Sequence, residues 1–221
     1  MNYRYADISE VAPFIADSII TQLSQGKTVL WLMSGGSGGQ ICVAVGKILQ
    51  GHDLSGLMAT MSDERFGEKG HKNENFSQLV SQGLSLPGAT VYHPLTGDSL
   101  AVTTELFSTW LTDAHQRADH TIVTLGIGED GHTSGVKPHS IAVNAEVAAV
   151  SFQGDDFSRI TTTLPFLRTF DEAIVQSYGK PKHAIIRQLL GGKGAVDELP
   201  MYAIYDIPNV TIFSDYKEDT L

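Results

Sequence analysis

Thr121-Ile122-Val123-Thr124-Leu125-Gly126-Ile127-Gly128-Glu129-Asp130-Gly131-His132-Thr133 is the stretch from which the fold is read. Its first five residues form a short apolar, β-branched run, the pattern of a buried parallel strand. The glycines that follow keep the backbone irregular while it presents an acid pair and one imidazole. Parallel α/β sheets place their ligands at the carboxyl ends of strands, so a polar loop here falls where chemistry is expected. Asp130 and His132 flank Gly131, whose conformational freedom permits a sharp turn between them. An imidazole held in this way by a carboxylate is a candidate general base near neutral pH.

Gly126-Ile127-Gly128-Glu129-Asp130-Gly131 also spells the glycine spacing of a dinucleotide loop, with Glu146 further on. Such a loop opens directly into a helix, and its distant acid ends the next strand. Here His132-Thr133-Ser134-Gly135-Val136-Lys137-Pro138 carries no helical apolar period, and Glu146 precedes the next strand, Val147–Phe152. A nicotinamide cofactor is not expected.

Upstream, Lys27–Met33 reads as a buried strand that runs into Ser34-Gly35-Gly36-Ser37-Gly38-Gly39-Gln40 and a helix from Ile41 to Leu49. Strand, glycine-rich turn and helix together point free backbone N–H groups and the positive helix end at an anion. The run of Gly and Ser is longer than a plain connecting turn requires. No Gly-Lys-Ser/Thr closes it, which excludes a Walker loop. The next strand, Leu57–Met61, ends in Ser62-Asp63-Glu64-Arg65-Phe66, with two carboxylates and a guanidinium at the same sheet edge. Charged clusters are usually solvated turns, but position makes this one a candidate.

The remaining elements follow from caps and periodicity. Ser9 is expected to cap a helix to about Gln25, and Asn73 one running through Leu84. Ser99–Arg117 reads as a helix burying Val102, Leu106, Trp110 and Ala114. Ala89–His93 is a short strand. Val147–Phe152 and Phe157–Leu164 suggest a hairpin around Gln153-Gly154-Asp155-Asp156. Glu172–Tyr178 and Val210–Phe213 complete the strands, and Pro181 suits the first turn of a helix through Leu190. Alternating strands and helices predict an α/β protein: one domain over residues 1–221, a mostly parallel sheet with helices on both faces, and antiparallel strands added at its edge.

The chain has 221 residues and a formal net charge of −10. That charge argues against nucleic acid and anionic membranes as partners. An anionic ligand would need a local cationic island, which makes the few well-placed Arg and Lys side chains informative. No apolar run is long enough to span a bilayer, and Met1–Asp7 lacks the apolar core of a signal peptide. The single cysteine, Cys42, lies in an apolar helical run and reads as a buried structural thiol in a cytoplasmic protein. His52, His71, His93, His115, His120, His139 and His183 show no metal-ligand spacing and read as surface or packing residues.

Four segments, Ser34-Gly35-Gly36-Ser37, Ser62-Asp63-Glu64-Arg65, Leu125–Thr133 and Arg159-Ile160-Thr161-Thr162-Thr163, occur in an order and spacing that resembles the 6-phosphogluconolactonase family. That family sits within a larger group that includes glucosamine-6-phosphate isomerase. The resemblance implies a Rossmann-like three-layer α/β/α fold, hydrolysis of a phosphorylated sugar lactone in the pentose phosphate pathway, and no metal or organic cofactor. It implies that the backbone of Ser34, Gly35, Gly36 and Ser37, with Arg159 and Lys182, holds the sugar phosphate. Lys182 fits the family's Gly-x-x-Lys pattern after Gly179 better than Lys180 does. Arg65 would lie near the ligand's charged end, His132 would be the base and Asp130 its orienting partner. Asp63 is a further candidate base, because the isomerases place one in this segment.

The chain also departs from the family. After Thr133 the family usually reads Ala-Ser-Leu-Phe-Pro, and here Ser134-Gly135-Val136-Lys137-Pro138 stands. After Ser37 it usually reads Thr-Pro, and here Gly38-Gly39 should leave the phosphate loop looser, since Pro pre-sets a helix start. The isomerases carry a glutamate five residues after the loop histidine, where this chain has Lys137. Ser134 beside His132 lacks the strand-turn-helix elbow of a nucleophile. A lactonase is the favoured reading, with an isomerase or a non-catalytic sugar-phosphate sensor on the same fold as alternatives, and a monomer or small homo-oligomer as the assembly.

Overall fold

The structure, a computed structural model, describes residues 1–154 and 157–217. Along the chain, β1 (Asn2–Tyr5) precedes α1 (Val11–Ser24), β2 (Val29–Met33), α2 (Gly39–Ile48) and β3 (Leu57–Met61). Then come β4 (Asp63–Arg65), α3 (Asn75–Ser81), β5 (Thr90–Val91), α4 (Leu100–Arg117) and β6 (His120–Gly126). The remainder holds β7 (Ala149–Gln153), β8 (Ser158–Thr162), α5 (Leu164–Leu167), β9 (Glu172–Ser177), α6 (His183–Leu190) and β10 (Asn209–Ser214).

Seven strands form a parallel sheet in the order β1-β10-β9-β6-β2-β3-β5. From β2 the chain moves outward to β3 and β5, whereas from β6 it moves the other way, to β9 and β10. The strand order therefore reverses between neighbours β2 and β6, and the crevice at their carboxyl ends is where α/β sheets bind ligands.

Strand periodicity produces the layers. Successive side chains point to opposite faces, so Val29, Trp31 and Met33 join one apolar cluster with α1, α2 and α3. Leu30 and Leu32 join the other, with α4, α5 and α6. All five are fully buried, each stabilising the fold by about 1.5–3 kcal/mol. The result is the expected Rossmann-like three-layer α/β/α architecture. No helix among the described residues is long and apolar enough to cross a membrane.

Several local expectations are corrected. The hairpin β7–β8 does not extend the main sheet; with β4 it forms a separate three-stranded antiparallel sheet. Asp155 and Asp156 of its turn lie outside the described residues. Asp63–Arg65 is therefore a strand and not a charged turn. On α4 the buried face is Thr103, Phe107, Leu111 and Ala114, while Val102 and Leu106 are each 44% exposed. A spacing of four drifts about 40° around the helix per step, and the step of three from Leu111 to Ala114 corrects that drift.

Two helix starts also differ. Asp7, not Ser9, makes the first cap: it accepts from Ser9 N and forms a capping box with Glu10 around the 3-10 turn Ile8–Glu10. Asn73 does not cap α3. The cap comes across from β4, where buried Glu64 accepts from Asn75 N at 2.6 Å and Phe76 N at 2.9 Å. Burial pushes the Glu64 carboxyl up to about 8, against the pull of the Phe76, Asn75 and Arg65 amides.

Candidate active site

The loop after β6 is fixed by its own backbone before it presents any chemistry. Gly128 N donates to His132 O at 2.9 Å and Gly131 N to Gly128 O at 3.0 Å. Gly131 has φ +75°, and a side chain there would strike Leu199. Thr133, buried, donates its hydroxyl to Gly126 O at 3.0 Å. On this frame His132 Nδ1 meets Asp130 Oδ1 at 2.5 Å, and Lys137 Nζ donates to Asp130 Oδ2 at 3.0 Å. Burial would raise the Asp130 carboxyl, but the hydrogen bond and charge of His132, together with Lys137, hold it down at about 2. Asp130 is thus a carboxylate at neutral pH, as an orienting partner must be.

The glycine loop after β2 faces this loop across the crevice. A 3-10 turn over Gly36–Gly38 leads into α2, whose first-turn amides lack intrahelical acceptors. Gly36 has φ +53°, and a Cβ on Gly35 would lie 2.6 Å from Asn75 Oδ1. Gly38 and Gly39 have helical backbone angles and are buried. A Cβ on Gly38 would lie 2.7 Å from Ser34 Oγ, and one on Gly39 would lie 3.0 Å from Leu79. Close packing is therefore what these two glycines serve, and the expected loosening gives way to a tightly seated turn. From beneath, Cys42 aims its thiol at Ser34 O, 3.6 Å away, and burial pushes that thiol up to about 12.

The small sheet brings the third group. Arg65 on β4 stands directly opposite Arg159 on β8, and Asp63 opposite Thr161. Ser62 O ties this sheet to the loop, accepting from Thr162 N, Thr162 Oγ1 and Ser134 Oγ, each at 3.0 Å. Burial raises the Asp63 carboxyl, opposed by Arg159, Arg65 and His132. Lys182 arrives from the turn after β9, where Gly179 with φ +98° donates its N–H to Asp215. Burial lowers the Lys182 ammonium, with Glu129 acting in the opposite sense.

Ser34, Gly35, Gly36, Ser37, Asp63, Arg65, Asp130, His132, Arg159 and Lys182 all line one cleft of about 480 Å³. Lys180 is not among its walls. Sequence reasoning missed Asn75, which also lines the cleft and donates Nδ2 to Asp63 O at 3.1 Å. Nothing local marks it, since its place depends on Glu64 capping α3 from another strand. Ser134, with φ +52°, reaches the cleft too, but its hydroxyl is committed to Ser62 O, so it has no nucleophile's geometry.

A family model described as glucosamine-6-phosphate isomerases/6-phosphogluconolactonase matches residues 6–212. A 6-phosphogluconolactonase of Chlamydia pneumoniae is 26% identical over an alignment that covers 90% of this chain and 82% of that one. The crystal structure of a 6-phosphogluconolactonase from Shewanella baltica OS155 is similar with a TM-score of 0.80 at 22% identity, 97% of each chain being covered. A monomeric glucosamine-6-phosphate deaminase is similar with a TM-score of 0.79 at 17% identity, again over 97% of each chain. At these identities the two structures establish a shared fold and leave the chemistry to the site.

Proposed function

The chain belongs to the glucosamine-6-phosphate isomerase/6-phosphogluconolactonase family, and from that premise we propose that it hydrolyses 6-phospho-D-glucono-1,5-lactone to 6-phosphogluconate in the pentose phosphate pathway. Residues 1–221 would act as one cytoplasmic catalytic unit, as a monomer or small homo-oligomer. One observation carries the choice of reaction. Isomerisation of an amino sugar phosphate needs ring opening and proton transfer between adjacent carbons, hence several acid/base groups around one sugar. The position of the isomerase glutamate holds Lys137, and its ammonium is bound to Asp130. The site therefore keeps one oriented base, which is what lactone hydrolysis requires.

His132 takes a proton from water, and the resulting hydroxide attacks the lactone carbonyl. The tetrahedral oxyanion collapses with cleavage of the ring C–O bond, and the imidazolium returns its proton to the departing ring oxygen. Water is consumed, one carboxylic acid and one hydroxyl form, and the imidazole is regenerated. Asp130 orients the imidazole through Nδ1. The glycine loop, Arg159 and Lys182 hold the phosphate, which is remote from the carbonyl and so contributes orientation. Arg65 and Asp63 line the same cleft; Arg65 would lie near the ligand's charged end, and Asp63 is a further candidate base.

The deciding measurement follows lactone disappearance against its spontaneous hydrolysis. Acceleration by purified protein, with no fructose 6-phosphate formed from glucosamine 6-phosphate, is the expected result. Ammonia release in step with ketose formation, faster than lactone hydrolysis, would overturn it. Activity in neither assay, with either ligand still raising Tm, would instead mark a sensor.

The phosphate clamp gives a separate expectation. Arg159→Ala or Lys182→Ala should raise KM for the phosphorylated lactone by an amount equivalent to about 1–3 kcal/mol, the usual worth of a hydrogen bond to a charged group. Hydrolysis of unphosphorylated gluconolactone should be nearly indifferent to both changes. Equal losses on the two substrates would assign the residues a structural or catalytic role.

A further inference from the structure

We propose that Lys137 is a positioning residue for the hydrolytic step, acting through Asp130 on His132. The inference rests on the reading of His132 as the base. Lys137 Nζ takes Asp130 Oδ2 at 3.0 Å while Oδ1 takes His132 Nδ1 at 2.5 Å. Each carboxylate oxygen thus has its own cationic or N–H partner, and the carboxylate plane is fixed from both sides. The Asp130 side chain is 45% exposed, so without the second partner water competes for it and the carboxylate rotates more freely.

The lysine is itself held on a fixed backbone. Val136, fully buried, donates its N–H to Thr133 O at 2.9 Å, and Ser140 N donates to Lys137 O at 3.1 Å. Pro138 further restricts the backbone of the residue before it. An exposed ion pair contributes little to folding stability. A role in placing the imidazole is the better account of why this loop delivers an ammonium to that oxygen.

The consequence for His132 is geometric: Nδ1 stays tied and Nε2 is the nitrogen left for the cleft. Asp63 and Arg65 of β4, Arg159 of β8, Glu129 and Lys182 line the same cleft. With Lys137 removed, Asp130 keeps only its contact with His132, and the imidazole is held less firmly.

Lys137→Met and Lys137→Arg, made in the full chain and assayed at neutral pH, test this. Lys137→Met should lower kcat at neutral pH roughly 3–30-fold, inside the range of coupling between residues of one network. KM and Tm should stay close to wild type, and Lys137→Arg should restore most of the rate. In an Asp130→Asn background, Lys137→Met should have almost no further effect. Additive losses in the double variant, no rescue by Lys137→Arg, or a loss confined to KM would each overturn the proposal. The underlying reading fails separately: it falls if His132→Ala hydrolyses lactone near the wild-type rate, whereas an inactive His132→Ala with silent Lys137 variants removes only the role of Lys137.

Discussion

His132→Ala is expected to lower kcat for 6-phosphogluconolactone by about 10²–10⁴-fold, the contribution of a positioned general base. KM should change little, because the glycine loop, Arg159 and Lys182, which we propose hold the phosphate, are untouched. The loss should stop short of complete inactivity. A δ-lactone is already electrophilic, and orientation by the proposed phosphate clamp would survive. Asp130→Asn should do less damage, since it weakens the hold on Nδ1 without removing the base. Rates for His132→Ala within a few-fold of wild type would sink the assignment and make Asp63 the next residue to test.

Gly128→Ala should approach the same loss without replacing any ionisable group. Gly128 is not among the positive-φ glycines, so alanine avoids the left-handed penalty there. Its Cβ, however, would overlap the His132 ring and lie 2.7 Å from Asp130 Oδ1. The imidazole must swing away from Asp130 to make room, which breaks the contact that orients it. A small displacement of a reacting group can cost on the order of 10²-fold. Because the His132 side chain is 34% exposed, the ring can move without opening the core, and Tm should stay near wild type. Near-normal kcat in Gly128→Ala would show that the ring works from another position and that the Asp130 contact is dispensable.

The parts of this site legible in the sequence are those whose chemistry is local. Gly126–Thr133 carries its base, its carboxylate and its turn glycines within one loop, and Ser34–Gly39 carries its amides within one connection. Both follow strands whose apolar runs are unambiguous, and β2 and β6 lie where those runs place them. What stayed hidden depends on groups far apart in the chain. Asp63–Arg65 resembles a charged turn until β8 supplies a pairing partner. Asn75 and the α3 cap need Glu64 from β4. Lys137 reads only as a lost glutamate until its ammonium is seen on Asp130. The α4 face was misplaced for a different reason, since Val102 and Leu106 form an apolar series that periodicity alone cannot distinguish from Phe107 and Leu111. β1 was missed because its residues are mostly exposed, leaving no apolar pattern to find.

The seating of Cys42 beneath the glycine loop has a consequence for redox chemistry. The thiolate, not the thiol, reacts with peroxides and alkylating agents, and burial pushes this thiol up to about 12. Burial therefore keeps Cys42 in the unreactive thiol form in the folded protein, beneath the glycine loop. Opening of α2 from the sheet restores an ordinary, solvent-accessible thiol. Alkylation of Cys42 thus becomes a clock for that opening, read at a residue that does not line the cleft.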